Sequence, residues 1–329
     1  MIHADVRRDA AQAWAATQLS RELRGASFSF TPASADASFR RYWRATLDDG
    51  RTYVVMDAPP EREDCRPFVR VAGMLHQAGL NAPQVLAQDL DQGFLLLSDL
   101  GTRTYLEALN PANAAALFAD ATDALLRWQL ASRPGGLPPY DEALLRREMS
   151  LFPEWYIGKH LQKSVSRSQS EALEKIFQLL VKSALAQPVV YVHRDYMPRN
   201  LMVCDPNPGV LDFQDAVLGP ITYDMVSLVR DAFISWNEEQ VLDWSARYWE
   251  KAKRAGLPMA PDFAEFWRSF EWMGLQRHLK VLGIFARINY RDGKPKYLAD
   301  TPRFLGYVRA TAQRYAALSP LLRLLEDVA

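Results

Sequence analysis

Three oxygen-bearing side chains stand at spacings that suit chemistry: Asp195, Asn200 and Asp212. The β-branched run Val189, Val190, Val192 delivers His193-Arg194-Asp195 into a turn, and Asn200 comes five positions after Asp195 with Leu201-Met202-Val203 behind it. A second short apolar run, Val210-Leu211, ends in Asp212. Side chains at strand ends and loop edges can be aimed by rigid neighbours at one ligand. Phosphoryl transfer asks for such a set, because it depends on positioning and charge neutralisation more than on covalent chemistry. Asp195 would accept the proton of an attacking hydroxyl, while Asn200 and Asp212 would offer hard oxygen ligands to Mg²⁺ bridging the phosphates of ATP. A lone His-x-Asp carries no such meaning; the ordered set, ending in a strand and an aspartate, does.

On His193 to Asn200 and Asp212-Phe213-Gln214-Asp215-Ala216, the chain resembles the aminoglycoside-phosphotransferase and choline-kinase branch of the protein-kinase-like fold. Within that branch, Asp57-Ala58-Pro59-Pro60 and Gln276-x-His278-Leu279-Lys280-Val281-Leu282-Gly283 further resemble the bacterial kinases of N-acetylmuramate and N-acetylglucosamine that act in cell-wall recycling. The resemblance implies an α+β, bilobal fold: a small antiparallel-sheet N-lobe over residues 1–100 and a larger, mostly helical C-lobe over 101–329. It implies Asp195 as catalytic base, Asn200 and Asp212 as Mg²⁺ ligands, and His193 and Asp224 as structural support, Asp224 holding the backbone amides of the catalytic loop. It also implies that the Ser98 carbonyl and the Leu100 amide read the adenine edge, and that the acceptor is an amino sugar phosphorylated at its anomeric hydroxyl.

The elements that must position these groups are legible in pattern. Ser27 to Thr31, Phe39 to Leu47, Thr52 to Ala58, Gln84 to Ala87 and Phe94 to Leu97 read as strands, with a hairpin signal at Asp48-Asp49-Gly50 and a helix over Pro67 to Gln77. Residues 7 to 24 read as a helix with a glycine stop at Gly25. A phosphate loop is expected over Pro32 to Ser38; lacking glycine, it would rely on Ser34 and Ser38 hydroxyls. Where the family's third strand carries an ATP-binding lysine this chain has Met56, and the helix that follows carries no acid. Joint loss of both halves of an ion pair is cheaper than loss of one. Arg41 or Arg44 on the neighbouring strand would supply the cation.

Beyond Thr104 the pattern turns helical. Asn113 to Ala131 is amphipathic, and Ser168-x-x-Glu171 reads as a capping box before the stripe Leu173, Ile176, Phe177, Leu180, Val181. Asp224 would open a helix over Met225 to Phe233, and Asn289 to Arg303 reads as a loop. Only Phe213 to Tyr223 separate Asp212 from Asp224, too little for the long segment that docks a polypeptide, so a small-molecule acceptor is expected. From Ala264 to Ala310 basic residues outnumber acids, which favours a neutral or anionic acceptor over a polycation.

Lys+Arg and Asp+Glu are balanced at 39 each among 329 residues, which leaves no electrostatic footprint for a nucleic acid. Cys65 and Cys204 form no Cys-x-x-Cys pattern, as expected of a reducing compartment. No apolar run approaches the roughly 20 residues of a membrane span, and the start has no apolar leader core. A cytoplasmic kinase without a membrane or nucleic-acid partner is expected. The competing readings are a kinase of an aminoglycoside or amino alcohol, and a nucleotide-binding pseudokinase; retention of Asp195 speaks against the second.

Overall fold

Alternating β-branched and aromatic residues of the first hundred positions pair into one antiparallel sheet of order β1-β2-β3-β5-β4. Its strands are β1 (Phe28–Ser34), β2 (Arg41–Leu47), β3 (Thr52–Asp57), β4 (Val85–Asp89) and β5 (Phe94–Ser98). The computed structural model describes residues 5–20, 27–34 and 39–328. Gly50 takes φ 86° in the β2–β3 hairpin, the left-handed turn that a glycine enters without steric cost. One sheet face buries Phe30, Ala45, Val55 and Leu96 against Ala11 and Ala15 of α1 (Val6–Gln18). The helix following β3 is α2 (Arg66–Gln77). Helix α1 closes at Gln18; the expected stop at Gly25 lies outside the described residues.

The later helices are α3 (Tyr105–Ala108), α4 (Ala114–Leu130), α5 (Glu142–Met149), α6 (Arg167–Leu185), α7 (Tyr223–Val229), α8 (Glu238–Arg254), α9 (Phe263–Asp292), α10 (Thr301–Arg314) and α11 (Ser319–Asp327). Between α6 and α7 come four short strands, β6 (Val189–Val192), β7 (Leu201–Met202), β8 (Gly209–Val210) and β9 (Val217–Pro220). By packing, the chain divides into two compact units, Met1–Asn110 with Arg199–Asp215, and Pro111–Pro198 with Ala216–Ala329. A single cut after residue 100 does not describe this division, because β7 and β8 bond to the first unit. The Val210 amide donates to the Asn81 carbonyl at 2.7 Å and the Val203 amide to the Arg103 carbonyl at 2.9 Å.

In the second unit α9 is buried at every position from Phe270 to Gly283, all round rather than on one stripe, as a helix through the middle of a helical unit must be. A Cβ on Gly283 would stand 2.4 Å from the Leu151 carbonyl carbon, so only glycine allows this approach. Leu151 precedes a π-helical segment, Phe152–His160. Two expectations shift here, and one strand is added. The capping box of α6 is Ser166 with Gln169, two residues earlier than Ser168 with Glu171; both pairs have the required spacing, and the earlier one adds residues to the helix. Helix α9 runs on to Asp292 and closes at Gly293 with φ 68°, so the expected loop is its last turn, a 3₁₀ segment (Pro295–Asp300) and the start of α10. Finally, β9 occupies part of the stretch between Asp212 and Asp224, pairing Val192 with Val217 and Val189 with Pro220.

Candidate active site

Strand β6 runs into His193-Arg194-Asp195, and Asp224 at the start of α7 fastens this loop. Its carboxylate accepts from the His193 amide at 2.6 Å and the Arg194 amide at 3.0 Å. The Asp195 amide in turn donates to His193 Nδ1 at 3.2 Å, which makes Nδ1 the acceptor and leaves the ring proton to Nε2. Tyr196 donates its hydroxyl to the Ala121 carbonyl at 2.7 Å, tying the loop to α4. Arg194 sits at φ 76°, a backbone conformation L-residues pay for, and the two Asp224 bonds hold it there. Burial pushes the Asp224 carboxyl up to about 7, against the two loop amides that favour its charge.

A second carboxylate, Glu148 on α5, collects the cations of this unit. Arg194 reaches it at 2.7 Å and Lys280 of α9 at 2.9 Å, while Tyr140 donates its hydroxyl to it. Burial would raise the Glu148 carboxyl, yet the charges of Lys280 and Arg194 and the Tyr140 hydrogen bond overcome it and hold the group at about 2. Lys280 Nζ also donates to the Tyr223 hydroxyl at 3.0 Å. Sequence reasoning missed Glu148 and Lys280 because 132 residues separate the pair, as the numbers themselves give. A signal existed: Lys280 is flanked by Leu279, Val281 and Leu282, and a charge among apolar neighbours on a buried helix needs a partner.

In the first unit, Asn200 Nδ2 donates to Asp212 Oδ2 at 3.3 Å. A carboxylate and a side-chain amide within hydrogen-bond reach of each other are a donor set that suits one hard cation, the amide turning its Oδ1 rather than its Nδ2 to the metal. Asp212 takes φ 60°, and its Oδ1 accepts from Gln214 Nε2 at 3.0 Å. Strand β8 leads through Leu211 into Asp212, and the Leu211 amide donates to the Asn200 carbonyl at 2.9 Å, which locks the two positions together. Asp195 belongs to the second unit and Asn200 and Asp212 to the first; five sequence positions join Asp195 to Asn200.

The remaining expected groups fall as follows. Ser98 ends β5 and accepts at Oγ from the Gln84 amide at 2.8 Å. Leu100 is half-buried. Arg41 is committed to Asp57, with Nε at 3.0 Å and Nη2 at 2.6 Å, and to Asp5. Asp57 is fully buried and also takes Arg7 at 2.8 Å, which pins α1 to the sheet. Arg44 holds Asp99 through two bonds, 2.6 and 3.1 Å, and donates to the Gly101 carbonyl at 2.8 Å. Ser34 ends β1, and Ser38 lies outside the described residues. Arg40, which the sequence did not single out, brings Nη2 to 3.9 Å from Asp212 Oδ1.

A family model described as the phosphotransferase enzyme family matches residues 29–257. The chain belongs to that family. It is therefore a phosphotransferase, and its relatives agree. It is 57% identical over 297 residues to the N-acetylmuramate/N-acetylglucosamine kinase of Pseudomonas aeruginosa, covering 90% of this chain and 88% of that one. The kinase of the same name from Pseudomonas putida is 51% identical, with 98% and 97% covered, and that of Caulobacter vibrioides 31% identical, with 83% and 85% covered. Among solved structures, choline kinase from Cryptosporidium parvum superposes with TM-score 0.62 at 11% identity, covering 92% of this chain and 93% of the other. The ADP-bound aminoglycoside phosphotransferase APH(2'')-Ib gives 0.55 at 15% identity, covering 90% and 98%. These identities speak for the fold, the protein-kinase-like one, and not for a ligand.

Proposed function

We propose that this phosphotransferase transfers the γ-phosphoryl group of ATP to the anomeric hydroxyl of N-acetylmuramate and N-acetylglucosamine, giving the sugar 1-phosphate for cell-wall recycling. The observation that carries the reading is the 57% identity, over 297 residues, to a kinase of those two sugars. The sheet-bearing first unit holds nucleotide and metal; the helical second unit holds the base and the acceptor.

In this mechanism Asp195 takes the proton of the anomeric hydroxyl as its oxygen bonds to the γ-phosphorus and the bond to the β–γ bridging oxygen breaks, releasing ADP. An anomeric hydroxyl is more acidic than an ordinary alcohol, so a carboxylate is an adequate base. Asp224 and His193 fix the backbone that carries Asp195. Asn200 and Asp212 hold Mg²⁺, which when bound neutralises charge on the phosphate oxygens. The Ser98 carbonyl and the Leu100 amide meet the adenine edge.

The test is a panel of amino sugars, aminoglycosides and amino alcohols offered to the purified protein with Mg-ATP. ADP release on the two N-acetyl sugars, with ³¹P NMR placing the phosphate on the anomeric oxygen, is expected, and chelation of the metal abolishes it. No turnover on either sugar, or phosphate on another oxygen, would overturn the reading.

A further inference from the structure

The strand position that in such kinases carries a lysine is here Met56, fully buried, and α2 has no acid in its first turn to partner a cation. The charge on the nucleotide's phosphates must still be met. Register tells which side chains share the face of Met56. Tyr42 pairs directly with Met56, and residues directly opposite in an antiparallel ladder point the same way. By the two-residue alternation, Arg40 and Arg44 belong with Tyr42, and Arg41 belongs to the opposite face.

Arg41 accordingly meets Asp57 and Asp5 beside α1. Arg44 shares the Met56 face but is doubly bonded to Asp99, whose side chain is almost fully buried. Arg40 is different. It stands just before β2 and brings its guanidinium to 3.9 Å from Asp212, with 12% of its side chain exposed against 45% for the carboxylate. That separation is an ion-pair distance too long for a hydrogen bond, and an anionic ligand on the same metal-binding carboxylate would come within its reach. Burial raises the Cys65 thiol just before α2 and the charge of Arg40 opposes it, so the guanidinium also lies near the start of that helix.

We infer that Arg40 binds the β- and γ-phosphates of the nucleotide, the cation having moved from the third strand to the head of the second on the same sheet face. The inference rests on the kinase reading above. A guanidinium offers a fork of donors where an ammonium offers one point charge, and can span two phosphate oxygens.

Calorimetric titration of the full chain with adenosine, ADP and the non-hydrolysable analogue AMP-PNP, all with Mg²⁺, tests it. In Arg40→Met the analogue should bind about tenfold or more weakly, the range of a lost charge-assisted bond, ADP less so, and adenosine within about twofold of the parent. Arg40→Lys should restore part of the difference and retains the charge if the methionine variant does not fold. Analogue binding within about twofold of the parent in Arg40→Met, or an Arg40→Lys variant that weakens adenosine and analogue alike, would overturn the inference. The same holds if the phosphate-dependent loss appears in Arg44→Met instead. A parent that binds no nucleotide sinks the kinase reading along with it, whereas a parent that phosphorylates sugar while Arg40→Met binds normally sinks the inference alone.

Discussion

In the proposed reaction Asp195 and Asp224 divide one task between them, the first facing the reacting hydroxyl and the second carrying the backbone that aims it. Asp195→Asn should lower kcat by about 10²–10⁴-fold, the usual worth of a general base, with the sugar KM within a few-fold; steady-state kinetics on N-acetylglucosamine will show it. Asp224 gives a pH dependence whose sign is fixed. Its carboxyl is raised from 3.8 to about 7, so its share of folding stability is complete below the lower value and is lost as pH rises through the upper one. The ionised form is the better acceptor for the two loop amides, so activity should fall below about pH 7. The facing groups are His193 and Asp195 in the loop, Tyr248 on α8 and Arg277 on α9. Activity and the urea midpoint should therefore move in opposite directions between about pH 5 and 8. Asp224→Asn should remove both slopes, and parallel slopes would contradict the assignment. At this scale the sequence shows what is local. His193 to Asn200 lies within eight positions, whereas Glu148, Arg194 and Lys280 meet only through folding. Arg40 hid because three arginines lie within five positions, at 40, 41 and 44, and only register tells their faces apart.

Elements were readable where two levels of pattern agree. Strands β2 and β3 combine alternation with an Asp-Gly turn, so their bounds fall within two residues of the pattern. Helix α6 offered two start signals of equal spacing, and no local rule chooses between them. Strand β9 carries Gly219 and Pro220, residues that argue against a strand until β6 supplies its partner. The close approach of α9 to Leu151 gives an element-scale prediction: Gly283→Ala should destabilise by about 1–3 kcal/mol, as overpacking does, measured by urea unfolding. A second concerns α1. Asp57→Asn removes the charge that Arg7 and Arg41 share, and since both arginines can re-solvate, the loss should be about 2 kcal/mol, below the 3–5 of a fully buried pair. An unchanged midpoint in either variant would contradict the packing described.

For the whole molecule, the family likeness and the balance of 39 acids against 39 bases were both visible without coordinates, and the division into units was not, because it depends on which distant residues bond to which. Among the described residues no helix is long and apolar enough to cross a membrane. Saturating Mg-AMP-PNP should raise the melting temperature by a few degrees, the linkage expected of a ligand that binds only the folded chain, and metal chelation should remove most of that gain. Strands β7 and β8 carry a further consequence. The sheet emerges early from the ribosome, yet Asn81 and Arg103 must wait for Val210 and Val203 before their carbonyls are answered. A nascent chain arrested before residue 199 therefore holds an unfinished first unit, open to protease, and it closes only when synthesis has passed Asp215.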